Sequence, residues 1–138
     1  MKRFVLDASV ALAWFLDNPV SAYAVRVKRD LLAGARAVVP ALWHLEMANG
    51  LVVAERGGIL TATEASRSLI DIEHLTVQIE TISDLVSARQ ALSTARSFLL
   101  SAYDAVYLDT ARQGGLPLAT LDKSLRAAAS RADVELFQ

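Results

Sequence analysis

The run Phe4-Val5-Leu6-Asp7-Ala8-Ser9 constrains this chain more than any other stretch, because continuous apolar residues end in a carboxylate and pass straight into the helical-looking Val10 to Phe15. A strand with no polar alternation is covered on both faces, as in the middle of a parallel sheet. Open α/β sheets bind ligands outside the carboxyl ends of their strands, and Asp7 stands at that end.

The rest of the chain alternates helix and strand signals. After a helix from Ala8 to about Leu16, the Asp17-Asn18-Pro19 break starts a second that runs to about Leu32 and stops at Gly34. Ala37-Val38-Val39-Pro40 reads as a short buried strand, and Leu42 to Arg56 as a helix ended by Gly57-Gly58. Thr61-Ala62-Thr63-Glu64 has capping-box spacing for a helix to about Glu73, and Leu75 to Ile79 alternates as a third strand. Thr81-Ile82-Ser83-Asp84 opens a helix to about Ala95, and Ser101 opens another that ends before Gly114-Gly115. Leu116 to Thr120 is a fourth strand, and Val134 to Phe137 adds a fifth. The expectation is one Rossmann-like α/β domain over residues 1–138, with a central parallel sheet of four to five strands and helices on both faces.

With 138 residues and 54% hydrophobic content, the chain can bury a sizeable core, and the excess of apolar helix surface predicts self-association. The absence of cysteine excludes a disulfide framework and thiolate metal sites, and fits a reducing compartment. No apolar run is long enough to cross a bilayer, and the N-terminus runs directly into the first strand, so a cytoplasmic protein without a signal peptide is expected. A net charge of −1 gives no overall attraction for nucleic acid. Arg26, Lys28, Arg29 and Arg36, and then Lys123, Arg126 and Arg131, form local basic clusters that read, singly, as solvated helix surface, while Glu55, Glu64, Asp71, Glu73 and Glu80 make the middle acidic.

Glu46 lies inside the apolar stripe Leu42, Leu45, Asn49, Val52, Val53, where an unpaired charge is costly. A salt bridge at the core edge is the bland explanation. Asp104 shares a helical face with Tyr107, Leu108 and Ala111, although Ser101-Ala102-Tyr103-Asp104 is itself a capping box. Asp122 follows a strand and could cap the next helix, as could Asp7 or Ser9 for theirs. Taken jointly, Asp7, Asp104 and Asp122 fall at the carboxyl edge of one sheet. Two carboxylates about 4 Å apart repel by roughly 4 kcal/mol at an effective dielectric of about 20, so such a group calls for a cation. An oxygen-only site selects Mg²⁺ or Mn²⁺. His44 and His74 have no zinc-type partner at ligand spacing and read as surface or core-edge residues.

Asp7 with Ser9, Trp43-His44-Leu45-Glu46-Met47-Ala48-Asn49, Ser101-Ala102-Tyr103-Asp104-Ala105-Val106-Tyr107-Leu108, and Leu118-Ala119-Thr120-Leu121-Asp122 together resemble the four motifs of the PIN-domain nucleases, and within them the VapC-type toxins of bacterial toxin–antitoxin pairs. The resemblance covers nearly the whole chain, in the family's order. It implies a dimeric, metal-dependent endoribonuclease held inactive by a small antitoxin. Asp7, Glu46 and Asp104 would be metal-binding acids and Asp122 the fourth. Some relatives carry another acid shortly after the fourth, where this chain has Ser124 and Leu125.

The residues suit that chemistry. Hard cations held by these acids would polarise an RNA phosphodiester and activate water without a protein nucleophile. Ser9 orients Asp7 or binds phosphate, Asn49 either hydrogen-bonds a carboxylate or packs, and Thr120 supports the fourth motif. A nucleotide-binding α/β protein would have a glycine-rich loop where Asp7-Ala8-Ser9-Val10 stands. A receiver domain would want an Asp ending a central strand at Leu75 to Thr81, and a haloacid-dehalogenase-like phosphatase a second Asp at Ser9. Two alternatives stay open: a non-catalytic module of this fold that binds RNA or protein, and a housekeeping RNA-processing nuclease without an antitoxin. The Leu42 to Arg56 helix, with Trp43, Met47, Leu51 and Ala54 on the side away from Glu46, is apolar on both faces. A homodimer is expected, with an antitoxin segment over apolar surface near the first two or three helices.

Overall fold

The computed structural model describes residues 2–75, 78–82 and 86–138. In chain order the elements are β1 (Arg3–Leu6), α1 (Ala8–Leu16), α2 (Ala22–Leu32), β2 (Arg36–Pro40), α3 (Leu42–Arg56), α4 (Ala62–His74), β3 (Ile79–Ile82), α5 (Ala88–Phe98), α6 (Ala102–Gly114), β4 (Leu118–Ala119) and α7 (Lys123–Arg131). The four strands form one sheet in the order β3-β2-β1-β4, with every pairing parallel.

The apolar run at Phe4 to Leu6 does become a central strand: all three residues have 0% exposure, as do Ala37, Val38 and Val39 beside them in β2. The strand order reverses between β1 and β4. Right-handed crossovers therefore place the helices that follow β1 and β2 on one face and those between β3 and β4 on the other. The crevice of such a sheet opens at the reversal, outside the carboxyl ends of the two strands that flank it. Asp7 leaves β1 there, pinned by its N–H to the Ala119 carbonyl at 2.9 Å.

Four local readings need correction. The second helix begins at Ala22, where the Ser21 hydroxyl accepts the Ala24 N–H, and not at the Asn18-Pro19 break. The third strand is Ile79–Ile82 and not Leu75–Ile79: α4 continues to His74 and closes on Leu75, so the alternation there spans a helix end. Thr76 and Val77 of that reading lie outside the described residues. Thr81 and Ile82 belong to the strand, paired with Val39 and Pro40, and the helix expected to open at them starts at Ala88 with Ser87 as its cap. Ser83 and Asp84 also lie outside the described residues. The fifth strand reduces to a single parallel bridge between Leu118 and Leu136.

The two faces of α3 are also exchanged relative to expectation. Trp43, Met47, Leu51 and Ala54 are the core face, each at 3% exposure or less, whereas Leu45 and Val53 are left at 75% and 58%. The uncovered apolar surface is on the Glu46 side. Among the described residues no helix is long and apolar enough to cross a membrane.

Candidate active site

Separate elements deliver acids to one cleft of about 610 Å³ at the carboxyl edge of the sheet: Asp7 from the end of β1, Glu46 from α3, Asp104 from α6 and Asp122 from the turn after β4. Ser9 and Asn49 line the same cleft. Each acid is placed by a local device. Asp7 occupies the N-cap position of α1 in extended conformation, yet its side chain makes no cap bond. It instead accepts the Ser9 hydroxyl at 2.6 Å and the Thr120 hydroxyl at 2.8 Å, both on Oδ2. Ser9 in turn accepts the Leu121 N–H at 3.0 Å, and Thr120 the Asp122 N–H at 3.0 Å, so β4 and the turn after it are stitched to the carboxylate.

Glu46 reaches the cleft because α3 lies close to α1. Gly50, one turn along, permits this approach, since a Cβ there would stand 2.6 Å from both Leu12 methyls. Asp104 stands in the first turn of α6, where the Ser101 hydroxyl accepts its N–H at 3.1 Å. The cap reading of Asp122 holds, for its Oδ1 accepts the Leu125 N–H at 2.8 Å at the start of α7. Asn49 is exposed and makes no hydrogen bond to a carboxylate.

The electrostatics follow from this crowding. Burial is the largest influence on Asp7 and raises its pKa; the Ser9 and Thr120 hydroxyls oppose it, and the Asp122 charge adds to it. Glu46 is raised first by burial and then by Asp7 and Asp104, against the hydrogen bond from Tyr107. Asp104 is pushed up to about 6, by burial and then by the charges of Asp7 and Asp122. Every acid of the cleft is thus within electrostatic reach of another, and no arginine or lysine is among the causes that shift Asp7, Glu46 and Asp104.

The donors are hard oxygens without thiol or imidazole, because His44 turns to the Thr81 hydroxyl at 2.8 Å and His74 is exposed on α4. This chemistry and the mutual repulsion fit a Mg²⁺ or Mn²⁺ ion. The side chains are not drawn onto a common point: among the described residues, no three His, Cys, Asp or Glu side chains are arranged to hold a metal ion.

Two contributors went unread in the sequence. Tyr107, buried at 0% exposure, donates its hydroxyl to Glu46 Oε1 at 2.6 Å. The signal was there, since a tyrosine on the buried face one turn after Asp104 needs a partner for its hydroxyl. Arg126, taken as solvated surface, donates to the Thr120 carbonyl at 2.8 Å while its guanidinium lies 5.2 Å from the Tyr23 ring centre.

A parallel sheet reversed at β1 and β4 with acids gathered at the reversal defines an α/β protein with an acidic cleft, and the family model for the PIN domain matches residues 4–130. The chain belongs to the PIN-domain family, whose members are generally nucleases. Among solved structures it is similar to PAE2754 from Pyrobaculum aerophilum, with TM-score 0.71 and 24% identity over 92% of this chain and 79% of that one. It is also similar to FitAcB from Neisseria gonorrhoeae, with TM-score 0.67 and 22% identity over 98% and 96% of the two chains. A toxin-antitoxin complex from Klebsiella pneumoniae matches with TM-score 0.56 and 18% identity over 86% of each chain. At these identities the likenesses establish the fold. No curated protein sequence matches the chain.

Proposed function

We propose that this protein is a metal-dependent endoribonuclease that hydrolyses RNA phosphodiester bonds and acts as the toxin of a toxin–antitoxin pair. The observation that carries the reading is the convergence of Asp7, Glu46, Asp104 and Asp122, from separate elements, on one cleft that no arginine or lysine lines among the described residues.

Asp7, Glu46 and Asp104 would hold the ion, with Asp122 beside them in a secondary place because one of its oxygens already caps α7. Bound there, Mg²⁺ or Mn²⁺ would supply charge stabilisation at the phosphoryl group and lower the pKa of a water. Ser9 and Thr120 fix the Asp7 carboxylate through Oδ2, and restrict its rotation. Ser9 has no histidine in relay with it, which argues for orientation over nucleophilic attack. Asn49, exposed at the rim, is free to contact the RNA.

The toxin reading draws support from two similar structures, the toxin-antitoxin complex from Klebsiella pneumoniae and FitAB bound to a DNA fragment. Apolar surface for two partners is available. The exposed Leu45 and Val53 on α3, with Leu69 and Ile70 on α4, suit a second copy of the chain, and Val25 and Leu32 on α2 suit an antitoxin segment. The non-catalytic alternative keeps one observation in its favour, the absence of a ready-made three-acid arrangement among the described residues. Cleavage of RNA by the purified protein with and without Mg²⁺ separates the two: Mg²⁺-dependent cleavage supports the nuclease, and RNA binding without cleavage at any metal concentration supports the module.

A further inference from the structure

The acids of the cleft stand on separate elements, and one phenol links two of them. Tyr107 follows Asp104 by one turn of α6 and is fully buried. Its hydroxyl donates to Glu46 Oε1 at 2.6 Å, the length of a hydrogen bond to an ionised carboxylate. The backbone N–H of Ala8 lies near enough to the phenol oxygen to act on its charge. Ala8 directly follows Asp7 and is the first residue of α1, whose N-cap side chain supplies no bond of its own. A side chain on the Asp104 helix is therefore bonded to Glu46, with the residue after Asp7 beside it.

We propose that Tyr107 is a positioning residue that holds the Glu46 carboxylate in the cleft it shares with Asp7 and Asp104, and so sets how that carboxylate is offered to a metal ion. The inference rests on the nuclease reading above and adds a residue to it. A glutamate has several rotors, and at a half-buried rim it would scatter among rotamers or swing to water, away from the other negative charges. Tyr107 removes that freedom before any ion arrives, which lowers the ordering cost of binding. If the ring were there only to fill space, the hydroxyl would add nothing that phenylalanine lacks. Partners of this kind, which orient a metal ligand, typically govern about 10–100-fold in affinity.

The experiment is Mn²⁺ binding by calorimetry, without RNA, to the wild-type protein, Glu46→Gln, Tyr107→Phe and the double variant, each checked for cooperative melting. The wild-type protein should bind, and Tyr107→Phe should weaken binding by about tenfold. Adding Tyr107→Phe to Glu46→Gln should change nothing further, because the hydroxyl acts through that carboxylate. Wild-type affinity in a well-folded Tyr107→Phe protein, with Glu46→Gln weakened, would overturn the role of Tyr107 and leave the nuclease reading standing. No Mn²⁺ uptake by the wild-type protein would overturn both. If Tyr107→Phe does not melt cooperatively, the wild-type Tyr107 hydroxyl proton, observed by NMR as a slowly exchanging resonance, takes over the test: a shift on adding Mg²⁺ supports the inference, and an unmoved resonance overturns it.

Discussion

Two buried aspartates occupy similar local settings and have opposite surroundings. Asp7 is 4% exposed and accepts the Thr120 hydroxyl; Asp109, in α6, is 1% exposed and accepts the Thr94 hydroxyl at 2.9 Å. Burial raises the pKa of both. Around Asp7 the next charges are acids, whereas Asp109 has the Arg112 guanidinium at 3.8 Å. Among the described residues Asp109 Oδ2 has no hydrogen-bond partner, so its burial is left uncompensated on one side. A buried carboxylate with a threonine donor is therefore no mark of a site. Accumulated charge of one sign, facing a cleft, is the distinguishing feature.

The largest effect should come from removing charge. Asp7→Asn, Glu46→Gln and Asp104→Asn should each lower Mg²⁺-dependent RNA cleavage by more than about a hundredfold, the loss expected when several kcal/mol of charge stabilisation disappears. Asp109→Asn, equally buried, should leave the cleavage rate within about twofold, because its neighbours are Thr94 and Arg112 and not the other acids. A gel-based cleavage assay on the same RNA reads both, and a comparable loss in Asp109→Asn would erase the distinction.

Asp122→Asn should be milder, about tenfold, since asparagine is as good an N-cap as aspartate and α7 would start unchanged. Loss equal to that of Asp7→Asn would promote Asp122 to a full ligand.

The paired threonines sharpen the comparison further. Thr120→Val and Thr94→Val each remove a hydroxyl from a buried carboxylate, and each should cost about 1–2 kcal/mol in urea unfolding. Only Thr120→Val should also slow cleavage, because only Asp7 belongs to the cleft. Equal slowing by Thr94→Val would count against the assignment.

The smallest effect is one of sign. Asp104 binds its proton more tightly folded than unfolded, with its pKa moved from 3.8 up to about 6, so between those values the folded chain holds more protons. Stability of the metal-free protein should then fall as pH rises through that window and level off above it. Asp104→Asn should remove this slope and raise the melting temperature in chelator at pH 7 by a few degrees, the response to about 1 kcal/mol once the half-exposed position is discounted. Added Mg²⁺ should reverse the order of the two proteins, because only the wild type keeps its full acid set.

The parts of this arrangement that lie at strand ends and helix starts were legible in the sequence. The continuous apolar run at Phe4 to Leu6 marks a strand buried on both faces, and the signals at Ser101 and Asp122 mark helix starts that the structure uses as caps. The segment between α4 and α5 misled, because Ile79-Glu80-Thr81-Ile82 has its more covered residues at the two ends and no alternation. Its strand character comes from pairing with Ala37 to Pro40, a tertiary cause that no local pattern records. The exchange of faces on α3 has the same origin: both sides are apolar, and only packing chooses Trp43, Met47 and Leu51 for the core. Tyr107 was read as part of an apolar face, since its partner Glu46 is 61 residues away in the chain.

The account stands most directly on Mg²⁺ dependence of RNA cleavage by the protein freed of any antitoxin, measured for the wild type and Glu46→Gln across a Mg²⁺ titration at fixed ionic strength. The wild type should cleave with a rate that rises and saturates with Mg²⁺ and vanishes in chelator, and Glu46→Gln should stay near background throughout. Cleavage that persists in chelator, or a Glu46→Gln protein with the wild-type rate, would contradict a site built from these acids.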